Sequence, residues 1–294
     1  MMRRLRPGHR GRAIGGGLAC VARGLVWMCL PSLALAAAGP DAAAIMANAD
    51  RLNRPAYEVV RLRMELRGPD QAAERELVWR IVNDGTERTS LFKFTEPASL
   101  RGEGTLIIEG EGRPNAIWHY APATRNVRRI SGEHRQNRFM GTEFVFEDFE
   151  GLKLGRYAFT LVRREACRDA SQCSVIEGTP RDPEENAGSG YGRKLFWIDE
   201  KTFAIVRIEL HDRAGVPVKT FESSDFRQVA GYWRPRRQVM TNLRNGRSTV
   251  LVELQRTLEE PFAMYLVSQQ YLRSELTREP GGIAVRAGDR KSVV

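Results

Sequence analysis

Alternation is the dominant pattern in this chain. In residues 57–67, Val60, Leu62, Met64 and Leu66 alternate with Arg61, Arg63, Glu65 and Arg67. A period of two puts the apolar set on one face of a strand and the charged set on the other. Residues 74–83 repeat the pattern with Leu77, Trp79 and Ile81, and residues 88–94 carry Phe92 and Phe94 on one face. Gly68-Pro69-Asp70 and Asp84-Gly85 separate these segments, which read as an antiparallel meander. Short strands continue to residue 257, with turn signals at Gly215 and Asn245-Gly246. Helical periodicity is confined to residues 41–52. There Asp41 is a cap, Ile45, Ala49 and Leu52 share a face, and Pro55 stops the helix.

Three stretches break the pattern. Residues 139–149, FMGTEFVFEDF, fit a helix or a strand equally. Residues 261–272 read as a closing strand or a helix. Residues 179–192, rich in Pro, Gly, Asn and acids, read as an exposed, mobile loop. About ten strands against so little helix predict a mainly β fold. The expected architecture is a large curved antiparallel sheet, or unclosed β-barrel, covered on its apolar face by one or two helices. There is no internal repeat of the kind a propeller or solenoid needs.

The first 38 residues stand outside that pattern. Six arginines without an acid precede an apolar run, LVWMCLPSLAL, that Pro31 interrupts, and Ala34, Ala36 and Ala38 offer small-x-small cleavage choices. This is the form of a secretory signal peptide over residues 1–38. The run is shorter than the ~20 apolar residues that span a bilayer. Gly17 before Cys20, and Trp27 and Met28 before Cys29, do not form a lipobox. A single β-barrel domain is expected over 39–275, and a disordered tail over 276–294.

Removing the leader changes the charge. The whole chain has 46 basic and 36 acidic residues, net +10. Taking away the leader's six leaves 40 against 36, net +4. That is not the footprint of a nucleic-acid binder. It leaves room for a transient contact with anionic membrane surfaces. The remaining cysteines, Cys167 and Cys173, read as a disulfide in an oxidising compartment rather than two free thiols.

No HExxH, GxSxG or Walker loop is present, so no catalytic residue, metal ligand or cofactor is assigned. His119, on the face opposite Trp118 and Tyr120, reads as solvent-facing. Ser131 close to His134 is too slight a pairing to be an activated nucleophile. Glu143, Glu147, Asp148 and Glu150 read as partners for nearby arginines before they read as paired acids for glycoside chemistry. Arg125, Arg128 and Arg129 are candidates for salt bridges or for a lipid headgroup.

The large apolar groups exceed what one sheet face buries under one or two helices, which predicts an apolar cavity. From the first three strands its candidate wall takes Leu62, Met64, Leu66, Trp79, Phe92 and Phe94. From the middle of the chain it takes Trp118, Tyr120, Phe139, Met140, Phe144 and Phe146. Trp197 completes it.

Residues 42–273 resemble the LolA-like outer-membrane lipoprotein-sorting family. The resemblance is carried by FTEPASLRGEGTLI at 94–107, WHYAPATRNVRRIS at 118–131 and FMGTEFVFEDF at 139–149. KLFWID at 194–199 and GYWRPRRQVMTN at 231–242 add to it. The chain departs from the family where His119 and Ala121 flank Tyr120, and where Glu143-Phe144-Val145-Phe146 replaces an Asp-Phe-Ser-Tyr run. The resemblance implies an unclosed barrel with helices as a lid over an apolar cavity that shelters acyl chains in the periplasm. It also implies work beside an inner-membrane exporter. Each CH₂ kept from water is worth about 0.8 kcal/mol, so a long chain cannot cross unescorted. The expected function is therefore a non-enzymatic periplasmic carrier of lipoprotein acyl chains or another lipid. The alternatives are a sensor or adaptor for a membrane protein and, behind it, an envelope hydrolase.

Overall fold

The computed structural model describes residues 41–69, 71–110, 113–168 and 171–274. The expected signal peptide and tail lie outside them. Among the described residues thirteen strands form one unclosed antiparallel sheet. The first six are β1 (Tyr57–Gly68), β2 (Gln71–Asn83), β3 (Glu87–Glu96), β4 (Gly104–Gly110), β5 (Ala116–Ala121) and β6 (Asn126–Ile130). The next four are β7 (Tyr157–Ala166), β8 (Gln172–Pro180), β9 (Arg193–Asp199) and β10 (Ile205–His211). The last three are β11 (Pro217–Val229), β12 (Tyr232–Asn242) and β13 (Ser248–Leu258). The count exceeds the ten expected because pieces as short as β6 pair along their whole length.

The spatial order is β6-β5-β4-β3-β2-β1-β13-β12-β11-β10-β9-β8-β7. Two meanders, β1 to β6 and β7 to β13, meet where β1 pairs with β13, from Glu58 opposite Leu258 to Arg67 opposite Ser248. The two free edges are β6 and β7, and they are consecutive in sequence. Residues 131–156 therefore carry the chain from one edge of the sheet to the other.

The inner face of β1 to β5 is Val60, Leu62, Met64, Leu66, Leu77, Phe92, Phe94, Ile107 and Ile117, all buried. The middle of the crossing segment packs onto it through Phe139, Phe144, Phe146 and Phe149. The inner face of the other wing presents Ile176, Phe196 and Ile198 to helix α1 (Ala42–Arg51), whose Ile45, Met46 and Ala49 are buried there. Asp41 caps α1 by accepting from Ala44 N at 2.6 Å, as its sequence position requires.

Residues 139–149 are neither helix nor strand. One bridge, Arg138 to Val145, closes a tight turn through Met140 (φ 48°) and Gly141 (φ 75°), and one 3₁₀ turn follows at Phe146–Phe149. A left-handed residue at 141 favours glycine and ends any regular element there. Residues 261–272 take a helical form, with a 3₁₀ turn at Met264–Val267 and helix α3 (Gln269–Arg273). They lie on the outer face, where Leu266, Val267, Tyr271 and Leu272 cover Val82, Leu91, Leu106 and Tyr120. Parts of β2 to β5 are thus covered on both faces, while β1 keeps Arg61, Arg63, Glu65 and Arg67 on its outer face.

That double cover corrects one reading. His119 is on the face opposite Trp118, but that face is the interior, and His119 is 5% exposed. Its Nδ1 lies 2.9 Å from Thr105 Oγ1 and its Nε2 3.0 Å from Glu103 Oε1. The stretch read as a mobile loop is corrected too. It holds helix α2 (Pro183–Gly188), capped by Asp182, and buries Glu185, Ser189 and Tyr191. Cys167 and Cys173 form a disulfide, with Cα atoms 5.6 Å apart. No helix of the described residues is long and apolar enough to cross a membrane.

Candidate functional site

Where the crossing segment leaves the first wing, it stops short of filling the second. A chamber of about 120 Å³ remains between the segment and the inner face of β9 to β12. Its floor is apolar: Phe196 from β9, Ile208 and Leu210 from β10, Phe221 from β11 and Met240 from β12. Phe144 and Phe159 close the sides. Each floor residue follows from period-two alternation, which turns every second side chain of a strand to the same face.

The rim is charged. Arg135 comes from the turn after β6, Glu147, Asp148 and Glu150 from the crossing segment, Lys153 from its end, Glu185 from α2 and Lys194 from β9. Arg135 is the hub. Its guanidinium donates to Glu150 at 2.7 and 3.0 Å and to Glu185 at 3.2 Å, and it lies 3.6 Å from Glu147. Lys153 pairs with Glu150 and, at 2.9 Å, with Glu185. Burial pushes the Glu185 carboxyl up, but Lys153 and Arg135 outweigh it and hold the group at about 2. Burial pulls the Arg135 guanidinium down, and its three carboxylates more than reverse that.

A second set of contacts lies beside the first. The Tyr191 hydroxyl donates to Asp148 at 3.1 Å and accepts from Lys219 at 3.1 Å. Lys194 lies 5.3 Å over the rings of Tyr157 and of Tyr191. Burial pushes the Asp148 carboxyl up to about 6, against the pull of Lys219. A folded value above the ordinary one of about 3.9 means stability that is full below pH 4 and lost as pH rises through 6. Urea melts at pH 4 and pH 8 check this. The native chain should lose about 2–3 kcal/mol between them that Asp148→Asn does not lose. Equal pH slopes would contradict it. Glu185, with its depressed value, acts at lower pH, below about 4.5.

A groove of about 860 Å³ adjoins the chamber, with Gly151, Leu152 and Lys153 lining both. Arg54, Arg88, Asp50 and Glu109 are among the groups along it. The site is therefore an apolar pocket with a charged collar and a polar approach. Among the described residues no group of three His, Cys, Asp or Glu is placed to hold a metal ion.

The sequence-derived candidates fall into three places. Leu62, Met64, Leu66, Phe92, Phe94, Phe139, Phe144 and Phe146 are brought together under the crossing segment, with Trp79 and Met140 against them. Of these only Phe144 lines the chamber. Trp118 and Tyr120 lie on the outer face beneath the C-terminal segment. Trp197 is also outside, beside the Cys167–Cys173 bridge, with Arg207 4.8 Å from its ring. The parity of β5 and β9 turns these three away from the interior. Arg125, Arg128 and Arg129 are exposed on edge strand β6 or just before it, and Arg129 lies over the Trp118 ring. The arginines that do pair with the acids are Arg135, with Glu147 and Glu150, and Arg138, with Glu143. Ser131 and His134 are hydrogen-bonded at 2.6 Å, but both are exposed and neither lines the chamber.

Phe196, Ile208, Leu210, Phe221 and Met240 were legible as alternate residues of predicted strands. In KLFWID the larger Trp197 draws the eye, while its neighbour Phe196 faces inward. Tyr191, Lys194 and Glu185 carried no comparable signal, because nothing local marks a charge that will be buried by a distant segment.

A family model described simply as "Uncharacterized protein" matches residues 86–274. No curated protein sequence matches the chain. Among solved structures, an outer membrane lipoprotein-sorting protein domain from Vibrio parahaemolyticus is similar at 23% identity and TM-score 0.74, covering 79% of this chain and 98% of that one. A DUF1329 family protein from Desulfovibrio piger is similar at 22% identity and TM-score 0.73, covering 79% and 97%. A LolA superfamily protein from Nitrosomonas europaea is similar at 25% identity and TM-score 0.61, covering 79% and 99%.

Proposed function

We propose, for a chain that belongs to the LolA-like family of outer-membrane lipoprotein-sorting proteins, that it is a non-enzymatic carrier holding the apolar part of a lipid or lipoprotein in the chamber of the second wing. One observation carries the reading. The floor of Phe196, Ile208, Leu210, Phe221 and Met240 is apolar, and a polar groove adjoins the chamber at Gly151, Leu152 and Lys153. Such a pocket has no use for water and favours an apolar chain. The periplasm as its location, a cleaved leader over 1–38, and an inner-membrane exporter as its source of cargo are part of the same proposal. The leader's composition and the Cys167–Cys173 bridge support the compartment.

Native mass spectrometry of the purified protein should find bound lipid, and N-phenylnaphthylamine should gain fluorescence on binding. Phe221→Glu, which puts a charge on a partly exposed wall residue, should weaken probe uptake at least tenfold, since an unpaired charge is costly in such a pocket. Trp118→Asp should leave uptake intact, because Trp118 faces the other side of the sheet. Uptake that follows Trp118 and ignores Phe221 would move the site away from the chamber.

A further inference from the structure

The strands that floor the chamber end in two neighbouring hairpin tips. One turn, residues 212–216, joins β10 to β11, and the other, residues 243–247, joins β12 to β13. Leu243 N donates to the Val218 carbonyl at 2.9 Å and Arg244 donates to Asp212 at 2.6 Å, so the tips stand side by side. Both are tightly built. The Asp212 side chain accepts from Ala214 N and Val216 N at 3.0 Å, and Asn242 and Asn245 accept from Arg244 N and Arg247 N at 2.9 Å. Gly215 (φ 80°) and Gly246 (φ 68°) supply the left-handed residues these turns need. Yet the tips display apolar groups: Val216 is 51% exposed and Leu243 47%, with Ala214 and Pro217 exposed beside Val216. Residues 212–217 and 242–247 hold Arg213, Arg244 and Arg247 against Asp212 alone. Arg244 answers Asp212. Arg213 donates to the carbonyls of Asn186, Ala187 and Ser189, and no acid among the described residues pairs with it.

We propose that these two tips dock the protein on the surface of a bilayer that carries anionic lipid. Val216 and Leu243 dip below the headgroups, and the arginines lie against the phosphates. The patch is too small for a protein partner, since a standard interface buries about 800 Å² on each side and two half-exposed side chains offer far less. A bilayer asks for less. A few apolar groups at the headgroup boundary suffice when basic residues flank them, and each such residue adds about fivefold in affinity for an anionic surface. The stems of the arginines can follow the apolar groups down while their heads stay with the phosphates. Met240 on the chamber floor is three residues from Leu243. At ~3.3 Å per strand residue, docking holds that floor about 10 Å from the surface. The contact lies outside the chamber and stands whatever the chamber holds.

The test is co-sedimentation of the secreted protein with vesicles of phosphatidylcholine, and with vesicles in which a third of it is replaced by phosphatidylglycerol. The native protein should bind the anionic vesicles roughly tenfold more tightly than the neutral ones and lose most of that preference at high salt. Val216→Asp combined with Leu243→Asp should weaken binding about tenfold and leave N-phenylnaphthylamine uptake by the chamber unchanged. Arg213→Gln should weaken it about fivefold. Val162→Asp, at a position 48% exposed on edge strand β7, should stay within about twofold of the native protein. If the native protein binds neither kind of vesicle, or both equally, the docking proposal fails while the carrier reading stands. If Val162→Asp loses as much as the tip variants, the contact is not made by the tips. A native dimer that the double variant dissolves, with no binding to vesicles, assigns the tips to a second copy of the chain and overturns the proposal. Should the double variant not fold, the comparison of vesicles with the native protein and the loss in Arg213→Gln decide the matter.

Discussion

Replacing Phe139 with alanine lowers the stability of the domain by about 3–5 kcal/mol, the cost of deleting a large aromatic side chain from a closed core. Phe139 is fully buried and meets four other rings. The centroids of Phe149, Phe92, Phe146 and Phe94 lie 4.9, 5.1, 5.5 and 6.1 Å away. These rings belong to both the sheet and the crossing segment, so neither side can close the cavity alone. Directed bonds also hold the segment, among them Arg75 to the Met140 carbonyl at 2.8 Å and Glu143 N to Thr249 Oγ1 at 2.9 Å. For a domain of this size the loss is a fall in Tm of about 10 °C, read by differential scanning calorimetry. Phe139→Leu, which keeps most of the volume, should recover more than half of it. A melting temperature unchanged in the alanine variant would mean that the segment is not part of the cooperative core.

Replacing Arg135 with methionine should destabilise by a similar amount, about 3–5 kcal/mol at pH 8, for an electrostatic reason. Removing one partner of a buried charge cluster leaves the others uncompensated. Lys153 still reaches Glu150 and Glu185, but Glu147 loses the one cation among the described residues within 4 Å of it. Carboxylates stripped of a cation protonate more readily, so the deficit should shrink as pH falls below about 5. Urea titration at pH 4 and pH 8 separates this from a packing loss, which would be the same at both. Arg128→Ala, an exposed position, should stay within about 0.5 kcal/mol of the native chain. A deficit in Arg135→Met that does not depend on pH would show that the cluster contributes little through charge.

The two substitutions mark what the sequence makes visible. The strands and the helix at 42–51 could be read because local periodicity fixes which residues share a face, whereas 139–149, with no period, left its form open. What a single strand does not declare is which face becomes the interior. β5 has Ile117 and His119 on one side and Trp118 and Tyr120 on the other. Size alone points to the tryptophan, yet the thirteen-strand order and the C-terminal cover put Trp118 outside and His119 inside. The charged rim was half legible. The acids at 147–150 were expected to pair with upstream arginines, and Arg135 does so. Glu185, Tyr191 and Lys194 arrive from 35 to 47 residues further on, and no spacing rule reaches that far.

The seam between β1 and β13 bears on how the domain forms. Every other neighbouring pair in the sheet is a hairpin or a short return, so its contacts are local and close quickly. The seam alone joins positions as distant as Glu58 and Leu258. Loop-closure entropy grows only slowly with length, and here it falls on a single event, the meeting of two ready-made wings. Each wing, before that meeting, displays an open β edge as well as its apolar inner face. The slow step of folding and the moment of greatest exposure to aggregation are therefore the same step.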